Sequence, residues 1–87
     1  KAVASFYKIE EQALMDKNRK QEIALPRQIL MYLLREDFSN SLSSIGQKLG
    51  GRDHTTVLHA CEKISEELKS NNQILEEVGQ IRSMLRV

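Results

Sequence analysis

Gly50 to Ala60, Gly-Gly-Arg-Asp-His-Thr-Thr-Val-Leu-His-Ala, constrains this chain more than any other stretch. Two adjacent glycines can adopt the left-handed backbone that stops a helix. Asp53 directly after them is a helix N-cap residue, since its carboxylate can accept one of the N–H groups that a first helical turn leaves free. From there Val57, Cys61, Ile64 and Leu68 recur at helical spacing, which defines one apolar face. With Val57 at zero and about 100° per residue, those four fall on one side, while Thr55, His59, Glu62 and Glu66 gather opposite. The leading end carries His54, Thr55 and Thr56, three compact hydrogen-bonding residues. A helix with a buried back and such an end is built to enter the major groove of DNA.

The rest of the chain supplies helices for that one to lean on. Four glycines and one proline among 87 residues leave little room for the turns of an all-β fold. The reading is an all-α, compact bundle of about five to six helices, one domain over residues 1–87. Val3, Phe6 and Tyr7 place a helix over Lys1 to Ile9, and Ala13 and Leu14 a short one over Glu10 to Met15. Asp16 to Glu22 lacks an apolar period and reads as a loop. Pro26 is expected at the first position of the next helix, with Ile29, Leu30, Leu33 and Leu34 as its buried stripe and Arg27, Gln28 and Arg35 off it. That helix ends near Phe38, and Ser39, Asn40 and Ser41 favour a turn and a new cap. Leu42–Leu49 and Asp53–Ser70 then form a helix-turn-helix, its turn slightly longer than the minimal motif. Gly46, mid-helix, is expected to permit the close approach of another helix. Asn71 and Asn72 break the chain before a last helix with Ile74, Val78, Ile81 and Leu85 on one face.

The formal net charge is only +1, but it is unevenly spread. Residues 17–35 carry five basic side chains (Lys17, Arg19, Lys20, Arg27, Arg35) against Glu22, whereas residues 36–71 have four basic and six acidic. A local basic patch attracts phosphate even on a nearly neutral domain. Cys61, the single cysteine, sits on the apolar face and reads as a small core residue. No apolar run reaches the length of a membrane span. No secretory signal is visible, and the chain opens inside a helix; the expectation is a cytoplasmic protein of which this is a piece.

A metal or catalytic site from Asp53, His54 and His59 is disfavoured, because the histidines are five residues apart and so about 140° apart around a helix. A protein-interaction module would use the exposed Glu62, Glu66, Glu67, Glu76 and Glu77, which read more simply as solvated faces.

Gly50 to Ala60 resembles the signature of the DnaA family of bacterial replication initiators. The likeness extends through Pro26 to Ile29, Tyr32 to Glu36, Ser41 to Gly46 and Cys61 to Ile64, so it covers essentially the whole chain as the family's C-terminal DNA-binding domain (domain IV). The resemblance implies sequence-specific binding of double-stranded DNA at the asymmetric site TTATNCACA, at the replication origin and some promoters. It implies base contacts from Asp53, His54 and Thr55 in the major groove and from Arg19 in the minor groove. It implies DNA-backbone contacts from Lys17, Gln28, Ser41, Arg52, Thr56, His59 and Lys63. It further implies no catalytic residue, metal or cofactor here, ATP being expected only in an upstream AAA+ domain. The isolated domain is expected to be monomeric in the bacterial nucleoid and the full-length initiator multimeric at the origin. The family's loop is often richer in arginine; Glu22 stands at its end here and is expected either to point away from phosphate or to lower the affinity.

Overall fold

The computed structural model describes residues 2–15 and 21–85. The described residues form α1 (Ala2–Tyr7), α2 (Glu11–Met15), α3 (Gln21–Glu36), α4 (Leu42–Lys48), α5 (His54–Ser70) and α6 (Asn72–Leu85), with no strand among them. Their extents, 29 × 26 × 25 Å, are nearly equal in all directions.

Helix α3 is the axis of the bundle. Its one side joins Ile29 and Leu33 to Val3, Ala4 and Leu14 of α1 and α2, to Ile64 of α5, and to Ile74, Val78 and Ile81 of α6. Its other side sends Met31 into a second cluster with Ile45, Leu49, Val57, Ala60 and Cys61. The sequence reading gave α3 a single stripe and left Met31 out. A helix sandwiched between two layers buries two faces, which a one-stripe pattern underestimates. The expected packing of α5 and α6 on each other and on Ile29 to Leu34 is observed.

Two expectations on α3 are corrected. Pro26 does not start the helix; it is the sixth residue of α3. There it removes one hydrogen bond, to the carbonyl of Glu22, and the packing around Leu14, Ile23 and Ile29 outweighs that loss. Arg27 does not lie off the stripe either. It is 7% exposed, and its Nε donates to the carbonyl of Leu14 at 2.8 Å and its Nη2 to that of Ala13 at 3.2 Å. The guanidinium thus joins α3 to two backbone carbonyls of α2.

Caps set the remaining boundaries. Ser39, at φ 55, closes α3 in the left-handed region, and Asn40 N–H donates to the carbonyl of Leu34. Ser41 caps α4, its hydroxyl accepting from Ser44 N–H at 3.1 Å. Asn71 alone, not the Asn71–Asn72 pair, divides the last two helices. Its N–H donates to the carbonyl of Glu67, while its side-chain oxygen accepts from the N–H groups of Gln73 and Ile74 and so starts α6.

Helix α6 is fastened at two points. Near its middle, Tyr7 donates to Glu77 at 2.6 Å, and burial with that carboxylate pushes the phenol well above its usual range. Toward its C-terminal end Arg82 makes a two-pronged contact with Asp37, at 2.9 and 3.0 Å, and lies over the Tyr32 ring. Leu85, expected on the apolar face, is 40% exposed, because α6 outruns the helices it packs on. No described helix is long and apolar enough to cross a membrane.

Candidate nucleic-acid interface

The turn between α4 and α5 aims the exposed end of α5. Gly50 and Gly51 both adopt positive φ, 87° and 72°, as their pairing in the sequence requires. Arg52 N–H folds back onto the carbonyl of Gly46 at 2.8 Å. A Cβ on Gly46 would run into the carbonyl oxygen of Arg52, so the close approach that this glycine permits is by the turn itself. Val57, fully buried at the far side of the first turn of α5, locks the helix against α4.

This leaves Asp53, His54, Thr55 and Thr56 facing solvent. Asp53 holds the N-cap position, but its carboxylate makes no capping hydrogen bond, contrary to the sequence expectation. It lies instead 3.4 Å from Nδ1 of His54, with both side chains more than 60% exposed. The carboxylate is therefore presented outward beside the imidazole and keeps its acceptor capacity for a ligand. One consequence is measurable by chemical denaturation. Ser41→Ala is expected to cost about 0.5–2 kcal/mol at any salt concentration. Asp53→Ala is expected to cost only about 0.3–1 kcal/mol, through the helix dipole, and to lose that effect in high salt.

Behind the exposed turn, α3 and α5 diverge around a shallow depression of about 320 Å³. Gln28 of α3, Arg52 of the turn, and Thr56, His59 and Lys63 of α5 line it together. Five of the seven residues expected to contact a DNA backbone thus converge on one surface. The amide oxygen of Gln28 is buried there with no hydrogen-bond partner among the described residues. Rotating the amide by half a turn presents its NH2 donors at the same place. Ala24 and Ala60 floor the depression with Met31, their short side chains leaving the space open. Among the described residues, no carboxylate lines it. On the other flank of α5, Glu62 and Glu66 border a groove with Tyr32, Arg35 and Glu36, while Glu66 and Glu67 share a further hollow with Lys63.

The other expected contacts divide into three cases. Ser41 is exposed at the start of α4 and does not line the depression; its hydroxyl accepts from Ser44 and still has a proton to give. Lys17 and Arg19 lie outside the described residues. Glu22 borders a separate apolar hollow with Tyr7, Leu25 and Glu77, and does not line the depression. What the sequence reading missed is Arg27, which also borders the depression. A signal existed. Ala24, Arg27, Gln28 and Met31 repeat at i, i+3, i+4 and i+7, as do Thr56, His59, Ala60 and Lys63, and these two stripes face each other.

Cys61 is buried, as expected, and burial pushes its thiol above the ordinary value although Arg35 pulls it down. Among the described residues, no group of three His, Cys, Asp or Glu side chains could hold a metal ion.

Residues 1–64 match the family described as the bacterial dnaA protein helix-turn-helix. The chain belongs to the DnaA family. It is 47% identical over 83 residues, 95% of its length, to the chromosomal replication initiator protein DnaA of Roseiflexus castenholzii. It is 49% identical over 84 residues to that of Thermomicrobium roseum and 45% identical over 86 residues to that of Limosilactobacillus reuteri. The match covers 17%, 18% and 20% of these DnaA proteins, respectively, so the chain spans about a fifth of their length. The family match includes α4, the Gly50–Gly51 turn, α5 as far as Ile64 and every residue that lines the depression.

Proposed function

We propose that this chain is the double-stranded DNA-binding unit of a bacterial replication initiator, and that it reads DnaA boxes of the form TTATNCACA at a chromosomal origin. The observation that carries this reading is the convergence of Gln28, Arg52, Thr56, His59 and Lys63 on one depression beside the exposed start of α5, with no carboxylate lining it among the described residues.

The chemistry divides into positioning and reading. Lys63 and Arg52 neutralise phosphates, and Gln28, Thr56, His59 and Ser41 donate hydrogen bonds to phosphate oxygens, which fixes register without discriminating bases. Lys17, before the helix-turn-helix, adds a further phosphate contact. With the backbone seated there, the amino end of α5 enters the major groove. Asp53 accepts from the amino group of a cytosine or adenine, His54 donates to a thymine or guanine oxygen, and the Thr55 methyl meets a thymine methyl. Arg19 enters the neighbouring minor groove, where an A·T-rich segment concentrates negative potential. The chain itself needs no cofactor for this, and an asymmetric site needs no two-fold dimer. ATP and assembly into multimers belong to other parts of a full-length, cytoplasmic initiator.

The test is a titration of labelled duplex containing TTATCCACA against a scrambled duplex at two salt concentrations. Preference for the box is expected, with affinity falling steeply as salt rises. His54→Ala or Thr55→Ala should cost about 1–3 kcal/mol on the box and less on the scrambled duplex. Equal affinity of the unsubstituted chain for both duplexes would instead favour a protein-interaction module.

A further inference from the structure

Helices α1, α3 and α6 meet around a hollow of about 410 Å³ that the DNA-binding reading does not use. Tyr7 and Ile9 reach it from the end of α1 and the turn that follows, Glu22, Leu25 and Pro26 from α3, and Glu77 from α6. None of these six lines the depression beside α5. Lys8 takes the left-handed conformation, at φ 57, and Ile9 N–H folds back onto the carbonyl of Ala4 at 3.0 Å, so the chain reverses there and brings Ile9 to the hollow. Glu22, Leu25 and Pro26 stand at i, i+3 and i+4, one face of α3. Ile9, Leu25, Pro26 and the Tyr7 ring make the walls mainly apolar.

The polar groups of this hollow call for a donor. Glu22 is exposed and forms no ion pair with another described residue. Glu77 accepts from Tyr7 at 2.6 Å and from Gln73 at 3.1 Å, one bond on each oxygen, so each oxygen keeps a second lone pair. The Tyr7 proton is already engaged in that bond. Pro26 has no N–H, so the carbonyl of Glu22 lacks its usual helical donor. Among the described residues, no cation lines the hollow. An occupant that complements it brings positive charge, several N–H donors and an apolar stem. A lysine ammonium is compact and strongly hydrated, whereas a guanidinium is planar, weakly hydrated and carries five donors on an aliphatic stem. Tyr7, Ile9 and Leu25 remain only half-buried. A single side chain would leave them wet, and apolar neighbours on the same segment would cover them.

We propose that the hollow is a docking site for an arginine presented by another protein, within a segment whose flanking residues are apolar. The arginine stem lies on Ile9, Leu25 and Pro26, and the guanidinium pairs with the carboxylates of Glu22 and Glu77. Such a partner leaves the DNA-facing depression open, because the two sites share no lining residue.

The probe is the capped tripeptide acetyl-Leu-Arg-Leu-amide, titrated into the isotopically labelled chain and followed by amide-resolved NMR. Its counterpart with citrulline, a neutral isostere of arginine, and n-butylguanidinium are titrated alongside. Saturable shifts are expected at Ile9, Leu25 and Glu77, with the citrulline peptide at least about tenfold weaker. Glu22→Gln should weaken the arginine peptide by about two- to fivefold, since that carboxylate is exposed, and Glu77→Gln by about five- to tenfold. If Glu77→Gln does not fold, Glu22→Gln decides by the same comparison. Equal binding of the two peptides, or none of the arginine peptide, would overturn the proposal. Shifts centred on the groove of Glu36, Glu62 and Glu66 would overturn it as well, by showing that carboxylates alone attract the probe. Tighter binding of n-butylguanidinium than of the peptide would assign the hollow to a small guanidine instead of a protein. Shifts at Ile9, Leu25 and Glu77 on concentrating the chain without probe would assign it to a second copy, and either result rejects the partner proposed.

Discussion

Ile64→Ala is expected to lower the stability of this chain by about 2–5 kcal/mol, the range for removing a fully buried branched side chain that neighbours cannot collapse upon. Ile64 is 0% exposed. It is the residue through which α5 reaches Ile29 and Leu33 of α3 and Ile74, Val78 and Ile81 of α6. For a domain of this length each kcal/mol shifts the melting temperature by about 4–8 °C, so thermal melting resolves the effect easily. A fall of under about 1 kcal/mol would mean that the back of α5 is not the keel described above. DNA binding by the fraction that stays folded should be unchanged, since Ile64 points away from the depression.

Gly46→Ala is expected to damage both stability and recognition. In an open helix the change would gain up to about 1 kcal/mol, because alanine is the better helix former. At Gly46 the new methyl meets the backbone carbonyl of Arg52, which is itself held by the hydrogen bond from Arg52 N–H to the carbonyl of Gly46. Backbone cannot swing aside as a flexible side chain can, and crowding of this kind costs about 1–3 kcal/mol or more. Gly79 of α6 supplies the control: a Cβ there has nothing within 4 Å. Gly79→Ala should therefore raise the melting temperature and Gly46→Ala lower it. Because the turn aims α5, Gly46→Ala should also reduce preference for the box over scrambled DNA. Stabilisation by both substitutions would contradict the tight turn.

The helices were legible because their signals are local. The apolar spacing of Val57, Cys61, Ile64 and Leu68 located α5 and its buried face, and the paired glycines located the turn. Ser41 declared its cap through residue type alone. What was illegible depended on partners distant in sequence. Nothing near Arg27 announces that its guanidinium serves carbonyls thirteen and fourteen residues earlier, so a charged residue was placed outside the core. Met31 was missed for a related reason: only the presence of α4 and α5 on the second side of α3 makes that side apolar. The carboxylate of Asp53 had two possible uses, and residue type could not choose between an N–H of the first turn and the imidazole of His54. Proline shows the limit of a positional rule. Pro26 marks the beginning of α3 only loosely, since tertiary packing carries the helix back to Gln21.

The recognition surface was legible in part for a different reason. Thr56, His59 and Lys63 share a helical face with Ala60, and the sequence alone places them together. That Gln28 and Arg52 complete the same depression is a matter of how α3, the turn and α5 meet. The alanines at 24 and 60 are as much a part of that surface as the charges, since larger side chains would fill it.

Amide-resolved NMR titration of the labelled chain with the TTATCCACA duplex tests the central claim most directly. The largest shifts are predicted at residues 52–63, with further shifts at Gln28 and Ser41, and little change along α6. Shifts concentrated in α6, with residues 52–63 unmoved, would contradict it.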